Sequence, residues 1–367
     1  MGGRTDRAFL SEIREIKSTV AAFLHGDGEK EKTMPEVSVI IPVYNSGKFV
    51  EKCICSVTGQ TFRDLEILVV NDGSTDRSGE ILERLAAGDS RIVYISQENR
   101  GVAAARNRAL DMARGKYLTF VDGDDYIGRD YISRLHAAAE KKNAEMLICG
   151  LTCVDEEGKF LSRIVPGEYR RFEKEEWTFR ISAVCSHFYR RSLWEKHHIR
   201  FRSGERGEDM PVSLFFSAVC DKIATISEAG YYYVQHPSSA VHNFRGLKNY
   251  RLPYAALEDA IGRIRETGIS NSPEFCELFV LRILSTCFFQ LAPGASKDKM
   301  KELCDYIIRI LDTYFPQYYK NRKARFTAPQ DIPFVQKAAV KILILLVRTR
   351  AIYPVGRLMS RRQRRRG

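Results

Sequence analysis

The first third of the chain alternates short apolar runs with stretches of helical periodicity. Four apolar runs are short and continuous enough to predict buried strands. They lie at Val37–Pro42, Leu65–Val70, Ile92–Ile95 and Tyr117–Val121. The intervening stretches predict helices at Gly47–Gln60, Ser78–Ala87 and Gly101–Arg114. Strands that alternate with helices indicate an α/β fold in which helices cover both faces of a mostly parallel sheet.

The pattern changes after the fourth run. Helices are predicted at residues 130–142 and Met210–Val219, and nearly every segment after Asn249 has helical periodicity. Four more strands are predicted at Glu145–Cys149, Phe160–Val165, Ile223–Ser227 and Tyr231–Gln235. Residues 8–24 have the pattern of an amphipathic helix. The chain is therefore expected to contain four parts: an N-terminal helix and linker (1–34), an α/β domain (35–248), a helical region (249–335) and a basic amphipathic tail (336–367).

The net charge of +12 is concentrated at the C-terminus. The segment from Ile332 to Gly367 contains ten Lys and Arg residues and no Asp or Glu. Such a segment suits an anionic membrane surface or nucleic acid, but the basic tail lacks the interleaved aromatic residues expected for nucleic acid. Its apolar stretch Ala338–Val347 is too short to span a bilayer, which takes about 20 residues, and resembles an interfacial helix. A buried C-terminal helix followed by a basic end is the alternative.

Other residue patterns narrow the class of protein. Nine scattered cysteines form no paired metal-binding motif, and we interpret them as the reduced thiols of a cytosolic protein. Residues 1–34 lack the apolar region of a secretory signal. No glycine-rich G-x-G-x-x-G motif follows a predicted strand, which argues against a dehydrogenase.

An acidic cluster follows the fourth predicted strand. Asp122, Asp124 and Asp125 stand within four residues, where open α/β sheets bind ligands. Three carboxylates at one strand end repel one another unless a cation or many hydrogen bonds offset the charge. Hard divalent cations prefer such oxygen ligands and often bridge them to phosphate. The cluster therefore indicates a metal held against a diphosphate, the alternative being an acidic surface turn.

Polar residues also follow the other predicted strands, and together these segments carry a resemblance. Four segments resemble, in order, the motifs of the family 2 inverting glycosyltransferases, which have a GT-A fold. They are Val37–Asn45, Val70–Asp76, Asn99–Leu110 and Tyr117–Asp125. The resemblance covers about residues 37–245. It implies a GT-A type sheet flanked by helices, a nucleotide-sugar donor (usually a UDP-sugar), and a divalent cation, Mg²⁺ or Mn²⁺.

The resemblance also assigns roles to residues of this sequence. It places Pro42, Tyr44 and Asn45 near the nucleoside, and Asp72 on the base, although an Asp at a strand end can instead cap the next turn. Gly101, Arg106, Asp122 and Gly123 would bind the rest of the donor, and Asp124 would bind the metal. Arg106 could equally be a surface residue of an alanine-rich helix. His236 and His242 are further candidate metal ligands, though a loop histidine is more often a surface residue.

A fifth segment contains the candidate general base. Asp209 matches the family's general base in the Glu-Asp pair before the helix Met210–Val219, where an acid could also simply stabilise the helix N-terminus. The sequence departs from the family at Cys185 and His187, where relatives have Trp and Lys, and this departure bears on the acceptor pocket.

These observations predict an inverting, metal-dependent glycosyltransferase. It would move a sugar from a nucleotide-sugar to a hydroxyl of a saccharide or lipid-linked acceptor in cell-surface polysaccharide synthesis. It would work in the cytoplasm, on the inner face of the cell membrane. The main alternative is a membrane-associated scaffold that binds nucleotide-sugars without turnover. A sugar-nucleotide pyrophosphorylase, the other enzyme considered, needs a glycine-rich loop that Tyr44–Lys48 does not provide.

Overall fold

The computed structural model describes residues 34–166, 183–205, 207–236, 247, 251–267, 273–326 and 333–361. The predicted N-terminal helix at residues 8–24 and the tail beyond Arg361 lie outside these ranges. The described residues from Pro35 onward form one compact unit.

One sheet of nine strands runs through the described residues. The strands are β1 (Val37–Val43), β2 (Leu65–Asp72), β3 (Ile92–Gln97), β4 (Tyr117–Phe120), β5 (Tyr126–Ile127), β6 (Met146–Val154), β7 (Phe160–Ile164), β8 (His187–Arg190) and β9 (Ile223–Val234). Their order across the sheet is β3-β2-β1-β4-β8-β6-β9-β5, with β7 paired to β6.

Helices connect the strands and follow the sheet. Those between strands are α1 (Val50–Thr58), α2 (Ser78–Gly88), α3 (Val102–Met112), α4 (Tyr131–Lys142), α5 (Arg191–His197) and α6 (Asp209–Val219). Those after the sheet are α7 (Tyr254–Glu266), α8 (Pro273–Thr286), α9 (Lys297–Tyr314), α10 (Phe334–Arg348) and α11 (Ile352–Arg361).

The first four strands form a parallel half-sheet. Strand β1 pairs in parallel with β2 and β4, and β2 pairs in parallel with β3. Every residue of β1, β2 and β4 is buried, which explains their continuous apolar sequences. Because parallel strands end on the same side, the segments after β1, β2 and β4 meet at one edge.

The second half of the sheet is mixed. Strand β8 is antiparallel to both β4 and β6, whereas β6 and β9 are parallel. The α/β class is confirmed, and parallel pairing is confined to β1–β4 and to β6 with β9. Strand β7 returns antiparallel along β6 because a short turn at Asp155–Lys159 joins them, with a backbone hydrogen bond of 3.0 Å from Asp155 to Lys159.

The two strands predicted at Ile223–Ser227 and Tyr231–Gln235 are one strand, β9. Its register with β6 shifts at Gly150, since Cys149 pairs with Ile226 and Gly150 with Ala229. A second shift follows, since Leu151 pairs with Tyr231, so the irregularity accommodates three extra residues of β9 without ending the pairing. The prediction of two strands was wrong because the polar residues between them interrupt the apolar pattern locally but not the backbone ladder.

The C-terminal helices pack on the body of the protein. Helix α7 packs on α6, α8 on α10, and α9 on α11. One face of α10 is buried, through Val340, Leu343, Ile344, Leu346 and Val347. Among the described residues, no helix combines the length and apolar composition needed to cross a bilayer.

Candidate active site

The strand ends and the start of α6 surround a cleft of about 1920 Å³. Eleven of the twelve residues predicted from sequence line this one cleft. They are Pro42, Tyr44, Asn45, Asp72, Gly101, Arg106, Asp122, Gly123, Asp124, Asp209 and His236. The twelfth, His242, lies outside the described residues. Pockets for drug-sized ligands have volumes of about 300–1,000 Å³, so this cleft is large enough for a donor and an acceptor.

Arg106 lies at the centre of the cleft wall. It extends from α3, and its side chain is only 4% exposed. One terminal nitrogen donates to Asp122 Oδ1 at 2.8 Å, and the other donates to Glu208 Oε1 at 2.6 Å and lies 3.4 Å from Asp209 Oδ1. The guanidinium also lies 5.3 Å from the ring centroid of Phe201. A surface position for Arg106 is therefore excluded, and one buried cation joins the acidic cluster to the Glu-Asp pair.

Burial and the charge interactions with Arg106 shift the pKa values of the side chains in this cluster. Burial alone would lower the pKa of Arg106, but the carboxylates of Asp122, Asp209 and Glu208 raise it well above its usual value. Burial raises the pKa of Asp122, against the opposing charge of Arg106. Burial alone would raise the pKa of Glu208, but the charge of Arg106 and the hydrogen bonds to Arg106, Asp209 and the backbone together lower it.

Asp209 differs from Glu208 in acidity although the two are adjacent. Burial raises the pKa of Asp209 well above its usual value, and the negative charge of Glu208 raises it further. The Asp209 side chain remains 24% exposed to the cleft, whereas Glu208 is 9% exposed. A carboxylate with a raised pKa that faces a cleft is a stronger proton acceptor than an ordinary aspartate.

Asp125 is the buried residue of the loop after β4, residues 121–125, which is called the acidic loop below. It is 1% exposed, and its carboxylate accepts hydrogen bonds from the Tyr231 hydroxyl at 2.7 Å and the Val234 amide at 2.8 Å. The Tyr231 oxygen in turn accepts the Asp122 amide at 3.0 Å. Asp125 therefore fixes the backbone that presents Asp122 and Asp124 to the cleft.

Asp72 fixes the part of the cleft wall that lies between β2 and the start of α3. Its carboxylate accepts the backbone amides of Arg100 and Gly101, at 2.9 and 2.8 Å, and the side-chain amide of Gln97 at 2.7 Å. The turn after β2 is capped instead by Asn71, which accepts the Ser74 amide at 3.1 Å. Asp72 therefore does not cap the next turn but fixes the segment that leads into α3.

The loops after β1 and β2 are joined through Asn45. This residue has a φ of +49°, and its side-chain oxygen accepts the Thr75 amide at 2.8 Å. Gly73 has a φ of +70°, and a Cβ there would lie 2.6 Å from the Asn99 amide nitrogen. These contacts leave Tyr44 50% exposed beside the cleft.

A polar corner suitable for a cation is formed by Asp124 and His236. Asp124 Oδ2 lies 2.9 Å from His236 Nε2, and the Asp124 side chain is 33% exposed. Divalent cations at diphosphate sites commonly take one or two protein ligands, with phosphate and water completing the shell. Asp124 fits that pattern as the carboxylate, and His236 lies close enough to supply a second ligand.

A second acidic cluster lies at the opposite end of the strands. Glu36, His136 and Glu140 have ligand atoms within 4.8 Å of one another. However, Lys116 Nζ lies 2.8 Å from Glu140 and 3.8 Å from Glu36, so a cation already balances these charges. We assign no metal site there.

The departures from the family pattern have different structural consequences. Cys185 lines the cleft. His187 is buried instead, where its Nδ1 donates to the Ala183 carbonyl at 2.8 Å and burial lowers its pKa to about 4. His187 is therefore a neutral core residue rather than a cation facing a substrate.

The sequence did not indicate the contact between Glu208 and Arg106 or the part of the cleft that α7 and α9 form. Glu208 was part of a recognised pair, but its partner Arg106 is 102 residues away in sequence. Residues from α7 and α9, among them Tyr254, Glu258 and Lys299, close one side of the cleft. Only the packing of these helices against the sheet brings them there.

Comparison with known proteins identifies the family. Residues 38–197 match the model of glycosyl transferase family 2. Glycosyltransferase GlyG of Streptococcus pneumoniae is 31% identical over 218 residues, which cover 55% of this chain and 72% of that protein. The chain belongs to glycosyl transferase family 2. The predicted family is confirmed.

Other relatives share parts of the chain or its fold. The uncharacterised glycosyltransferase EpsJ of Bacillus subtilis is 37% identical over 56% of this chain, but the match spans only 63% of EpsJ. The structure of S. aureus TarS 1-349 in complex with UDP-GlcNAc has a TM-score of 0.68 at 19% identity, covering 89% of this chain and 92% of that one. The likeness to TarS confirms the GT-A fold and extends into the C-terminal helices.

We expect Arg106→Met to destabilise the protein, because it would leave Asp122, Glu208 and Asp209 without their buried cation. Breaking a buried ion pair costs about 3–5 kcal/mol, measured here as the free energy of unfolding in urea. The loss should be greater at pH 7.5 than at pH 5, since the three carboxyl groups can become neutral at low pH.

Arg108 on the same helix is the matched control for this test. It is exposed, so Arg108→Met should change the free energy of unfolding by less than about 0.5 kcal/mol. Equal effects of the two substitutions, or a loss for Arg106→Met that does not depend on pH, would contradict the role given to Arg106.

Proposed function

We propose that this protein is an inverting, metal-dependent glycosyltransferase. It transfers a sugar from a nucleotide-sugar, most simply a UDP-sugar, to a hydroxyl of a saccharide or lipid-linked acceptor in cell-surface polysaccharide synthesis. The observation that carries the proposal is the guanidinium of Arg106, which contacts both Asp122 and Asp209 in one cleft. A donor held at the acidic loop would therefore present its sugar close to Asp209.

The donor would occupy the side of the cleft formed by the strand ends. Pro42, Tyr44 and Asn45 would contact the nucleoside, and Asp72 would accept a hydrogen bond from the base. Three donors already occupy part of the Asp72 carboxylate, which offers about four acceptor positions. Gly101, Arg106, Asp122 and Gly123 would surround the ribose, diphosphate and sugar, with the amide end of α3 favouring anions. The UDP-GlcNAc complex of TarS, which has the same fold, supports this choice of donor.

Asp209 would act as the general base. An acceptor hydroxyl is a weak nucleophile while protonated, and a carboxylate within reach can take its proton during attack. The raised pKa of Asp209 makes it a better acceptor of that proton, and Arg106 holds its orientation. Attack opposite the leaving diphosphate inverts the anomeric centre, so an α-linked donor would give a β-glycoside.

Asp124, with His236 beside it, would hold the divalent cation. When bound, Mg²⁺ or Mn²⁺ supplies positive charge that offsets the charge developing on the leaving diphosphate. His242 stays a further candidate ligand outside the described residues. In the alternative, a binding scaffold, the acids would hold a donor without turnover.

The Asp209→Asn variant should lose most sugar transfer, because an amide cannot accept the proton. We expect kcat to fall about 10²- to 10⁴-fold while the KM for the donor changes little, measured as UDP release with acceptor present. For the parent, kcat/KM should fall as pH drops through an apparent pKa clearly above the usual carboxyl value of about 4. Below that pKa the base is protonated.

Asp64→Asn provides a control for this substitution. Asp64 is exposed and precedes β2, at the opposite end of the strands from the cleft. The Asp64→Asn variant should transfer sugar at the parental rate. A folded Asp209→Asn protein with parental kcat would refute the role of Asp209 as base, and donor binding without turnover in the parent would favour the scaffold.

Removing the metal should abolish transfer and weaken donor binding together. We expect EDTA to stop UDP release and excess Mg²⁺ or Mn²⁺ to restore it, since the diphosphate needs a cation at Asp124. The Asp124→Asn variant should require at least about tenfold more metal for half-maximal activity. Calorimetry should also show that it binds UDP more weakly than the parent does. Full activity of the parent in EDTA would contradict metal dependence.

The protein would attach to the cytoplasmic face of the cell membrane through α10 and the basic tail. The outer face of α10 exposes Val335 (76%), Ile342 (48%) and Leu345 (60%), on the side opposite its buried residues. A helix that is apolar on both faces is normally covered on both. Lys and Arg residues flank this face, and each contributes about 1 kcal/mol near an anionic leaflet.

We expect the triple substitution Val335→Ser, Ile342→Ser and Leu345→Ser to abolish binding to vesicles of phosphatidylglycerol and phosphatidylcholine. Point changes are preferable to truncation at Phe334, because deletion of α10 would also remove core residues such as Leu343. Co-sedimentation measures the bound fraction, and phosphatidylcholine vesicles should bind neither protein.

The control changes two apolar residues that are also exposed but lie on β7, Phe160→Ser with Leu161→Ser. This variant should sediment with anionic vesicles as the parent does. Parental binding by the triple α10 variant, or equal binding to neutral vesicles, would eliminate the membrane proposal without affecting that of sugar transfer.

A further inference from the structure

The loop that carries Glu208 and Asp209 is held at a second point, by Glu205. Gly204 and Gly207 both have a φ of +82°, so the loop makes a turn that other residues adopt at a cost in strain. Glu205 lies within this turn and is half-buried. Its carboxylate does not point to Arg106 but accepts two backbone amides of α7, those of Ala255 and Ala256, each at 3.1 Å.

Helix α7 lacks a cap of its own. It begins at Tyr254 after Pro253, which makes no side-chain hydrogen bond to the first turn. The first amides of a helix have no partner within it, and a negative charge near them is favourable. Glu205, 50 residues earlier in the sequence, supplies both the acceptors and the charge. A cap of this kind stabilises a helix, so the contact stabilises the loop and the helix together.

Helix α7 is itself firmly placed. The Tyr254 ring stacks on Tyr306 of α9 at 3.9 Å between centroids, and the Tyr306 hydroxyl donates to the Tyr254 carbonyl at 3.0 Å. One turn later, Arg309 Nη1 of α9 lies 3.0 Å from Glu258 of α7. The anchor for Glu205 is therefore a pair of packed helices rather than a surface segment.

The distance along the chain from Glu205 to the base is short. Only three residues separate Glu205 from Asp209, too few to absorb a displacement of the loop. Asp209 is thus held from one side by Arg106 and from the other by the helical region. A misplacement of about 1 Å at a catalytic group can cost about 10²-fold in rate.

We propose that Glu205 is a positioning residue that uses the N-terminus of α7 to hold Asp209 in place for acceptor deprotonation. The helical region after residue 250 therefore positions the base as well as forming one wall of the cleft. This inference rests on the proposed role of Asp209 as general base.

The test is Glu205→Ala. Its kcat should fall about 10- to 100-fold, while the KM for the donor and the affinity for UDP stay within about twofold of the parent, since the donor side of the cleft is untouched. Glu205→Gln keeps a side-chain oxygen that can accept one amide, and it should recover most of the lost rate.

Ser296→Ala is the matched control. Ser296 caps α9 in the same helical region by accepting the Lys299 amide at 3.3 Å, and it is exposed. Both substitutions should lower the thermal midpoint to a similar extent, but Ser296→Ala should leave kcat unchanged. Equal kcat for the two alanine variants, or an increase in donor KM that matches the loss in kcat, would overturn the proposal.

Amide hydrogen exchange separates this inference from the proposed function. The amides of residues 207–210 and 212–214 should exchange faster in Glu205→Ala than in the parent and in Ser296→Ala. If the parent transfers no sugar, the proposed function fails, and faster exchange would still show that Glu205 holds the loop. Unchanged exchange would refute the anchoring contact whatever the activity.

Discussion

The buried guanidinium of Arg106 is the contact on which the arrangement of this cleft depends. An unpaired charge in this position would cost several kcal/mol, so the fold must bring carboxylates to it. Asp122 comes from the loop after β4, and Glu208 and Asp209 come from the start of α6. Because all three meet one cation, the donor side of the cleft and the proposed base keep a fixed relation to each other.

The parallel half of the sheet supplies the rest of the donor side. Strands β1, β2 and β4 end at one edge. The loops that follow are held by side-chain hydrogen bonds of Asn45, Asp72 and Asp125, of which that of Asn45 is exposed. These contacts reduce the conformational freedom that donor binding would otherwise have to remove. Asp124 and Tyr44 remain exposed to the cleft. The loops are thus preorganised, while the groups that would contact a ligand stay accessible.

The C-terminal helices have two faces with different properties. Their inner side closes the cleft and, through α7, accepts Glu205 from the loop that carries the Glu-Asp pair. The outer side of α10 exposes apolar residues, and the same helix carries Lys337, Lys341 and Arg348. The cleft wall and the exposed apolar face therefore both belong to the helices that follow the sheet.

The first four strands and the helices between them could be predicted from local patterns, because burial produces continuous apolar runs and helical periodicity. The sequence also predicted eleven residues of one cleft, through the polar residues that follow the strands and the resemblance to family 2 glycosyltransferases. It did not determine the single long β9, since a bulge is decided by the partner strand. Nor did it determine that Arg106 is buried or that Glu205 caps α7, because their partners lie 102 and 50 residues away. Pairing across such distances depends on how the helices pack on the sheet, which no local pattern records.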